Sequence, residues 1–467
     1  MTTATQLTAD STVGITAGLG NWVSRLRLSD IPEQVIAHAK LCILDSLGCG
    51  LYGSRQPWGL ICAEVAGEFG GRGATLFGRS TEAGAADAAL ANGTSIHGFE
   101  IDDVHVTSSL HPGAVTVPAT LASAEHRGRS GADFLVGVIA GYEAGIRVGI
   151  CAGVTHSTSG YHVTGTVGGI SASAGVARVI GLDAAMSAHA IAIGATQAAG
   201  LYAARLGAMA KRFHAGRAAQ SGVIAAYLAE RGFTGSDVAI EAPFGGFMST
   251  LHGQFVPSTI LEELGERWET AAVGFKVYAA CASAHTTIDA LDMLMQQGLT
   301  ANRLDRLTIH LSKKGFTNIG WPYVPAEIVS AQMNGYFTAA VKLLDGEAFV
   351  DQYQRARITD PAILSLIQRI TIVHDPALDL GGAQKRHTVK VEARLTDGRV
   401  MNACVEHRLG SPQRPLTVDV ILEKFRRLAS SVLEAETVER VIAFIQGIEN
   451  QQDVRELTHL LSTNLTR

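Results

Sequence analysis

Charged side chains are scarce: Asp, Glu, Lys and Arg make up 17% of the 467 residues, against roughly a quarter in average soluble domains. A chain this poor in charge must hide much of its surface in a large core or against a second copy of itself, so a homo-oligomer is expected. The net charge of -5 offers no footprint of clustered Lys and Arg for the phosphates of nucleic acid, which removes that function class. No Cys-x-x-Cys pair occurs among the six cysteines, Cys42, Cys49, Cys62, Cys151, Cys281 and Cys404. The usual zinc and iron–sulfur frameworks are thereby disfavoured, and a reducing compartment is suited. No basic segment followed by an apolar run opens the chain, so no secretory signal is read and the cytoplasm is the default location. The longest apolar candidate, Phe134 to Ile150, is interrupted by Glu143 and Arg147 and reads as a buried helix rather than a membrane span. No Gly-x-Gly-x-x-Gly follows a strand and no Gly-x-Ser-x-Gly elbow is found, which argues against a dinucleotide site and a serine hydrolase.

What the chain does have is helical periodicity. From about Gly14 to Leu264 apolar residues recur at helix spacing; after Ser29, Asp30 and Pro32, for example, Ile36, Ala39, Ile43 and Leu47 fall on one stripe. Beyond about Glu269 short alternating runs appear, with Leu307, Ile309 and Leu311 on one face and Val389, Val391, Ala393 and Leu395 on another. The second run meets Asp397-Gly398, a hairpin signal, and continues through Val400 and Ala403. Ala326 to Tyr353 and Asp360 to Ile370 read as helical, and helix spacing returns after Pro412 and Pro415. The fold class is therefore mainly α: a large helical domain (1–268 and 413–467) and a smaller α/β lid (269–412) inserted before the C-terminal helices, with a cleft between them.

Four segments carry the polar chemistry. The first, His97 to Gly113, concentrates Glu100, Asp102, Asp103, His105 and His111 in an apolar half. Asp102, Asp103, His105 and His111 are of metal-ligand type, but their spacing matches no tight metal motif, and capping of backbone amides is a competing role. The second, Ser159 to Gly169, holds Tyr161 and His162 before a glycine-rich helix start, which suits an anion or, more simply, close helix packing. The third places Lys211, His214 and Arg217 at helical spacing, fitting either a polycarboxylate or a solvated face. The fourth, Phe275 to His285, holds Lys276, Cys281 and His285 at the domain junction; a thiol nucleophile is conceivable there, an inert buried cysteine commoner.

In this order the stretches HGFEIDDVHVTSSLHPG, SGYHVTGTVGG, AKRFHAGRAAQSG and FKVYAACASAH resemble the MmgE/PrpD family, which includes 2-methylcitrate dehydratase, cis-aconitate decarboxylase and iminodisuccinate epimerase. The resemblance spans most of the chain. It implies a helical domain with an α/β lid, a homodimer, and an active site without metal or organic cofactor that takes a small polycarboxylate. It further implies catalytic roles for His111, His162, Lys211, His285 and Asp102, with Glu100, Asp103, His105, Tyr161, His214 and Lys276 around the substrate. Where members often carry Asp-Phe-Asp-Asp-Thr-His, this chain has Glu100, Ile101 and Val104 in place of the first Asp, the Phe and the Thr, so contacts there are expected to differ. Removing a proton beside a carboxylate needs a positioned base, plus cations or donors for the charge that builds. Histidines and Lys211 supply both. Dehydration of a methylcitrate-like acid is the first expectation; decarboxylation, epimerisation, or carboxylate binding without turnover are the alternatives.

Overall fold

The computed structural model describes residues 14–206, 208–251, 255–382 and 385–462. Its first half is helical: α1 (Ile15–Arg25), α2 (Glu33–Ser54), α3 (Pro57–Glu68), α4 (Ala85–Ile96), α5 (Pro112–Arg127), α6 (Gly131–Thr158), α7 (Val163–Ile180), α8 (Ala184–Ala195), α9 (Ala210–Glu230) and the short α10 (Phe247–Leu251). A two-residue ladder, β1 (Ala74–Thr75) with β2 (Glu82–Ala83), interrupts an otherwise helical region. The stripe expected in α2 is there, and from Cys42 to Ser54 every residue of it is buried, as a helix at the centre of a bundle requires. Asp30 caps the turn before α2, accepting from the Arg27 amide at 2.9 Å, while Pro32 supplies the helix start. Among the described residues three helices, Glu33–Ser54, Gly131–Gly153 and Val163–Ile180, are long and apolar enough to cross a membrane, yet their apolar windows are 72%, 89% and 94% buried within this fold. Their apolarity is consumed by packing.

Small residues let these helices approach to backbone contact. A Cβ on Gly216 of α9 would sit 2.2 Å from the Leu90 carbonyl oxygen of α4, and one on Gly93 of α4 would sit 3.0 Å from the Gly216 Cα. This crossing sets the depth of α9, whose first turn carries Lys211 and His214. Gly216→Ala is therefore expected to overpack the contact and cost about 1–3 kcal/mol, read as a lower midpoint of thermal unfolding; an unchanged midpoint would refute the close crossing.

The second part begins with α11 (Ala282–Gln296) and builds a four-stranded sheet from β3 (Leu304–Leu311), β4 (Ile370–His374), β5 (Val389–Leu395) and β6 (Val400–Val405). The order is β4-β3-β5-β6, with β3 and β4 parallel and the other pairs antiparallel. Strand β5 alternates buried and exposed along its length, and Gly398, at φ 86°, turns it into β6. Helix α11 packs on β5 and β6, giving the two layers expected. Between β3 and β4 lie α12 (Lys313–Ile319), α13 (Ile328–Gln332), α14 (Gly335–Asp345) and α15 (Pro361–Ile367).

Two expectations are corrected here. The helical stretch read over Ala326–Tyr353 is broken twice: Asn334 caps a new helix by accepting from the Phe337 amide, and Gly346, at φ 75°, ends it. The helix read over Asp360–Ile370 stops at Ile367, and the β-branched run from Ile370 pairs with β3 instead. After the sheet, α16 (Val418–Ala429), α17 (Ala435–Gln446) and α18 (Arg455–Leu461) return to the helical part. Phe425 of α16 packs on Gly48 of α2, and Lys424 pairs with the buried Asp45.

Candidate active site

Helix α4 runs into a 3-10 turn, His97–Phe99, that delivers Glu100 in the left-handed region at φ 58°, ψ 29°. A non-glycine residue there is strained and needs its surroundings to hold it. They do: four successive carbonyl oxygens each accept from a side chain of a different element, Gly98 from Arg212, Phe99 from Gln332, Glu100 from Lys276 and Ile101 from Lys424. The loop is thus pinned by α9, α13, the segment before α11, and α16, so both parts of the molecule fix it.

The Glu100 carboxylate is buried and paired with Lys211, and Lys276 Nζ lies 3.8 Å from its second oxygen. Burial alone would push its pKa up, but Lys211 and Lys276 outweigh it and hold the carboxyl well below the usual range. Next along the chain, Asp102 is fully buried; its Oδ2 lies 2.7 Å from His97 Nδ1 and 3.1 Å from His111 Nδ1. Burial disfavours the Asp102 charge, yet His111 and His97 hold its pKa well below normal. His97 is sandwiched, its ring centroid 4.8 Å from that of His111 and 5.3 Å from that of His162. His162 in turn sets its Nδ1 3.1 Å from His214 Nδ1.

Burial lowers the pKa of all these imidazoles. His97 is brought to about 4, with Asp102 pulling the other way; His111 is lowered by burial against the opposing pull of Asp102; His162 is lowered well below normal by burial and then by neighbouring His97. At neutral pH the empty site therefore keeps these imidazoles neutral. His111 has Nδ1 turned to Asp102, which leaves Nε2 for a ligand.

His111, His162, Lys211, Lys276 and Glu100 all line one inner cavity of about 110 Å³. It shares Tyr202, Lys314, Asn318 and Arg386 with an outer chamber of about 710 Å³, so the two form a funnel between the helical part and the lid. Among the described residues the one His/Asp group with ligand atoms close enough for a metal ion is His97, Asp102 and His111, not the set suggested by the sequence. Lys276 Nζ lies 3.8 Å from Asp102 Oδ1 and already supplies positive charge where an ion would, so proton handling suits the cluster better.

A family model of the MmgE/PrpD N-terminal domain matches residues 17–258, and one of the C-terminal domain matches residues 278–450. The chain belongs to the MmgE/PrpD family. Among curated MmgE/PrpD relatives, the cis-aconitate decarboxylase-like protein oryM of Aspergillus oryzae is 33% identical, covering 97% of this chain and 98% of its own. The cis-aconitate decarboxylase of Aspergillus terreus is 28% identical over 98% of each. The mitochondrial 2-methylcitrate dehydratase of Yarrowia lipolytica is 24% identical over 87% of this chain and 82% of its own. These relatives are lyases by name, and they favour the decarboxylase alternative over the dehydratase placed first from the sequence.

Not every residue implied by the MmgE/PrpD resemblance meets in the funnel. Asp103 accepts from the Gly113 amide at 3.0 Å and from Tyr142 Oη at 2.8 Å, and burial, then Asp45 and Asp102, push its pKa well above normal. His105 contacts Ser108 and lies 3.6 Å from Glu269. Glu100, Val104 and Val106 line the cavity, whereas Asp103 and His105 are engaged by these other partners and do not line it. Tyr161 stacks on His156. His285 is buried behind the wall, its Nε2 3.2 Å from the Ala280 carbonyl oxygen. Conversely, sequence reasoning gave no role to His97, though it belongs to the same polar island, and none to Arg386 and His387, which lie in none of the four segments.

Proposed function

We propose that this chain is a decarboxylase of an unsaturated tricarboxylate of the cis-aconitate kind. The observation that carries the choice of reaction is the alignment, over 97% and 98% of this chain, with proteins named for that activity. The funnel supports it chemically. In such an acid the carboxylate on the saturated carbon leaves as carbon dioxide when its C–C bond breaks. The electron pair shifts through the double bond to the far carbon, beside another carboxylate, where a proton completes a new C–H bond. Lys211 and Lys276 stabilise the charge that builds on that carboxylate, and His111 or His162 delivers the proton. Asp102 orients His111. Dehydration of a hydroxylated analogue is the second reading, favoured by the 2-methylcitrate dehydratase relative.

The lowered imidazole pKa values give the reading a pH signature. A bound trianion raises the pKa of imidazoles that the empty site keeps neutral, so binding takes up a proton. Above pH 6.5 the free site is the less protonated state, and KM is expected to climb by up to about tenfold per pH unit while kcat holds. The test is incubation of the chelator-treated protein with cis-aconitate in deuterated buffer, followed by proton NMR across pH. Carbon dioxide release, with one deuterium in an unsaturated dicarboxylate, supports the proposal. Unchanged cis-aconitate, with water lost from 2-methylcitrate, overturns it in favour of dehydration.

A further inference from the structure

Arg386 enters the funnel from the lid on a backbone fixed from two sides: its own carbonyl accepts from Ser312 Oγ, and that of His387 accepts from Thr286 Oγ1 at 2.6 Å. Its guanidinium is positioned as firmly. Nε donates to His387 Nε2 at 3.3 Å, which requires the His387 proton on Nδ1, directed at Ser283 Oγ 3.3 Å away; Asn318 donates to the same hydroxyl at 2.9 Å. One terminal nitrogen donates across the cleft to the Val106 carbonyl and to Ser109 Oγ, on the loop that leads to His111. Among the described residues no hydrogen bond uses the other terminal nitrogen, and no Asp or Glu pairs with this cation. Lys211 and Lys276, by contrast, already share Glu100. Arg386 also lines both chambers, so it stands at the neck through which a ligand passes.

A half-buried cation without a counter-ion is costly to keep, and a planar fork with unused donors fits a carboxylate. We propose that Arg386 is the anchor of the lid-side carboxylate and selects tricarboxylates over dicarboxylates, a role that rests on the proposed decarboxylation of a tricarboxylate. Because the same guanidinium holds Val106 and Ser109, ligation there also ties the lid to the loop bearing His111.

The experiment uses two saturated acids that cannot decarboxylate by this route: propane-1,2,3-tricarboxylate, and methylsuccinate, which lacks one terminal carboxylate. Affinities are measured by calorimetry for the wild type, Arg386→Gln and Arg386→Lys, alongside kcat and KM for cis-aconitate. Arg386→Gln is expected to weaken the tricarboxylate by about 30-fold, methylsuccinate by less than about threefold, with the Lys variant between, and to appear in KM more than in kcat. Equal weakening of both acids, or of neither, overturns the anchor. A wild type that binds the tricarboxylate selectively through Arg386 but leaves cis-aconitate intact keeps the anchor and overturns the decarboxylase reading. A wild type that binds neither acid and leaves cis-aconitate intact overturns both, and one that turns over cis-aconitate with a KM unchanged in Arg386→Gln overturns the anchor alone.

Discussion

Lys211→Met is expected to lower kcat/KM for cis-aconitate by about 10³-fold, the scale on which a single stabilising donor acts in a closed site. It is also expected to destabilise the fold, because Glu100 is left as a buried carboxylate with only Lys276, 3.8 Å away, beside it; removing one partner of a buried ion pair costs roughly 3–5 kcal/mol. The two losses are separable. Adding Glu100→Gln removes the stranded charge, so the double variant should recover most of the unfolding midpoint while activity stays low. If stability and activity returned together, Lys211 would be a structural partner of Glu100 and the site assignment would fail. If Lys211→Met alone left both unchanged, the pairing itself would be of no consequence.

The parts of the fold legible in the sequence are those fixed by local period. The α2 stripe and the alternation of β5 declare themselves because one face of each element is buried. The break at Asn334 did not, since one polar residue in an apolar run reads as a tolerated helix position until its side chain caps the next turn. Strand β4 was hidden because its β-branched residues begin only three positions after α15 ends. In the site, Lys211, His111 and His162 were visible through the order of the motif segments, which is information about a family rather than about spacing. His97 and Arg386 were not, because their proximity to these residues is made only by tertiary folding: the His97 and His162 rings stack across 65 positions of sequence. The segment from Glu100 to Val106 shows the converse. Five acidic or imidazole residues lie close in sequence from Glu100 to His111, but the irregular loop hands Asp103 to Gly113 and Tyr142 and His105 to Ser108 and Glu269, away from the cavity that Glu100 lines.

That division predicts opposite outcomes for two neighbouring carboxylates. Asp102 draws His97 and His111 toward their protonated forms against burial, whereas burial and nearby Asp45 push the Asp103 carboxyl well above the normal range, and Gly113 and Tyr142 hold it away from the histidines. Asp103→Asn keeps an acceptor oxygen for Gly113 and Tyr142 outside the cavity and is expected to change kcat/KM by less than about tenfold. Asp102→Asn removes the negative charge that favours imidazolium in His97 and His111, so a loss of about 10²–10⁴-fold is expected. The sign of its pH dependence follows from the same charge. Without Asp102 the imidazole pKa values fall further, the protonated donor becomes scarcer as pH rises, and the deficit relative to wild type should be larger at pH 8 than at pH 5.5. A deficit equal at both pH values would make Asp102 a packing element, and a severe loss in Asp103→Asn with little in Asp102→Asn would reverse the assignment of the two.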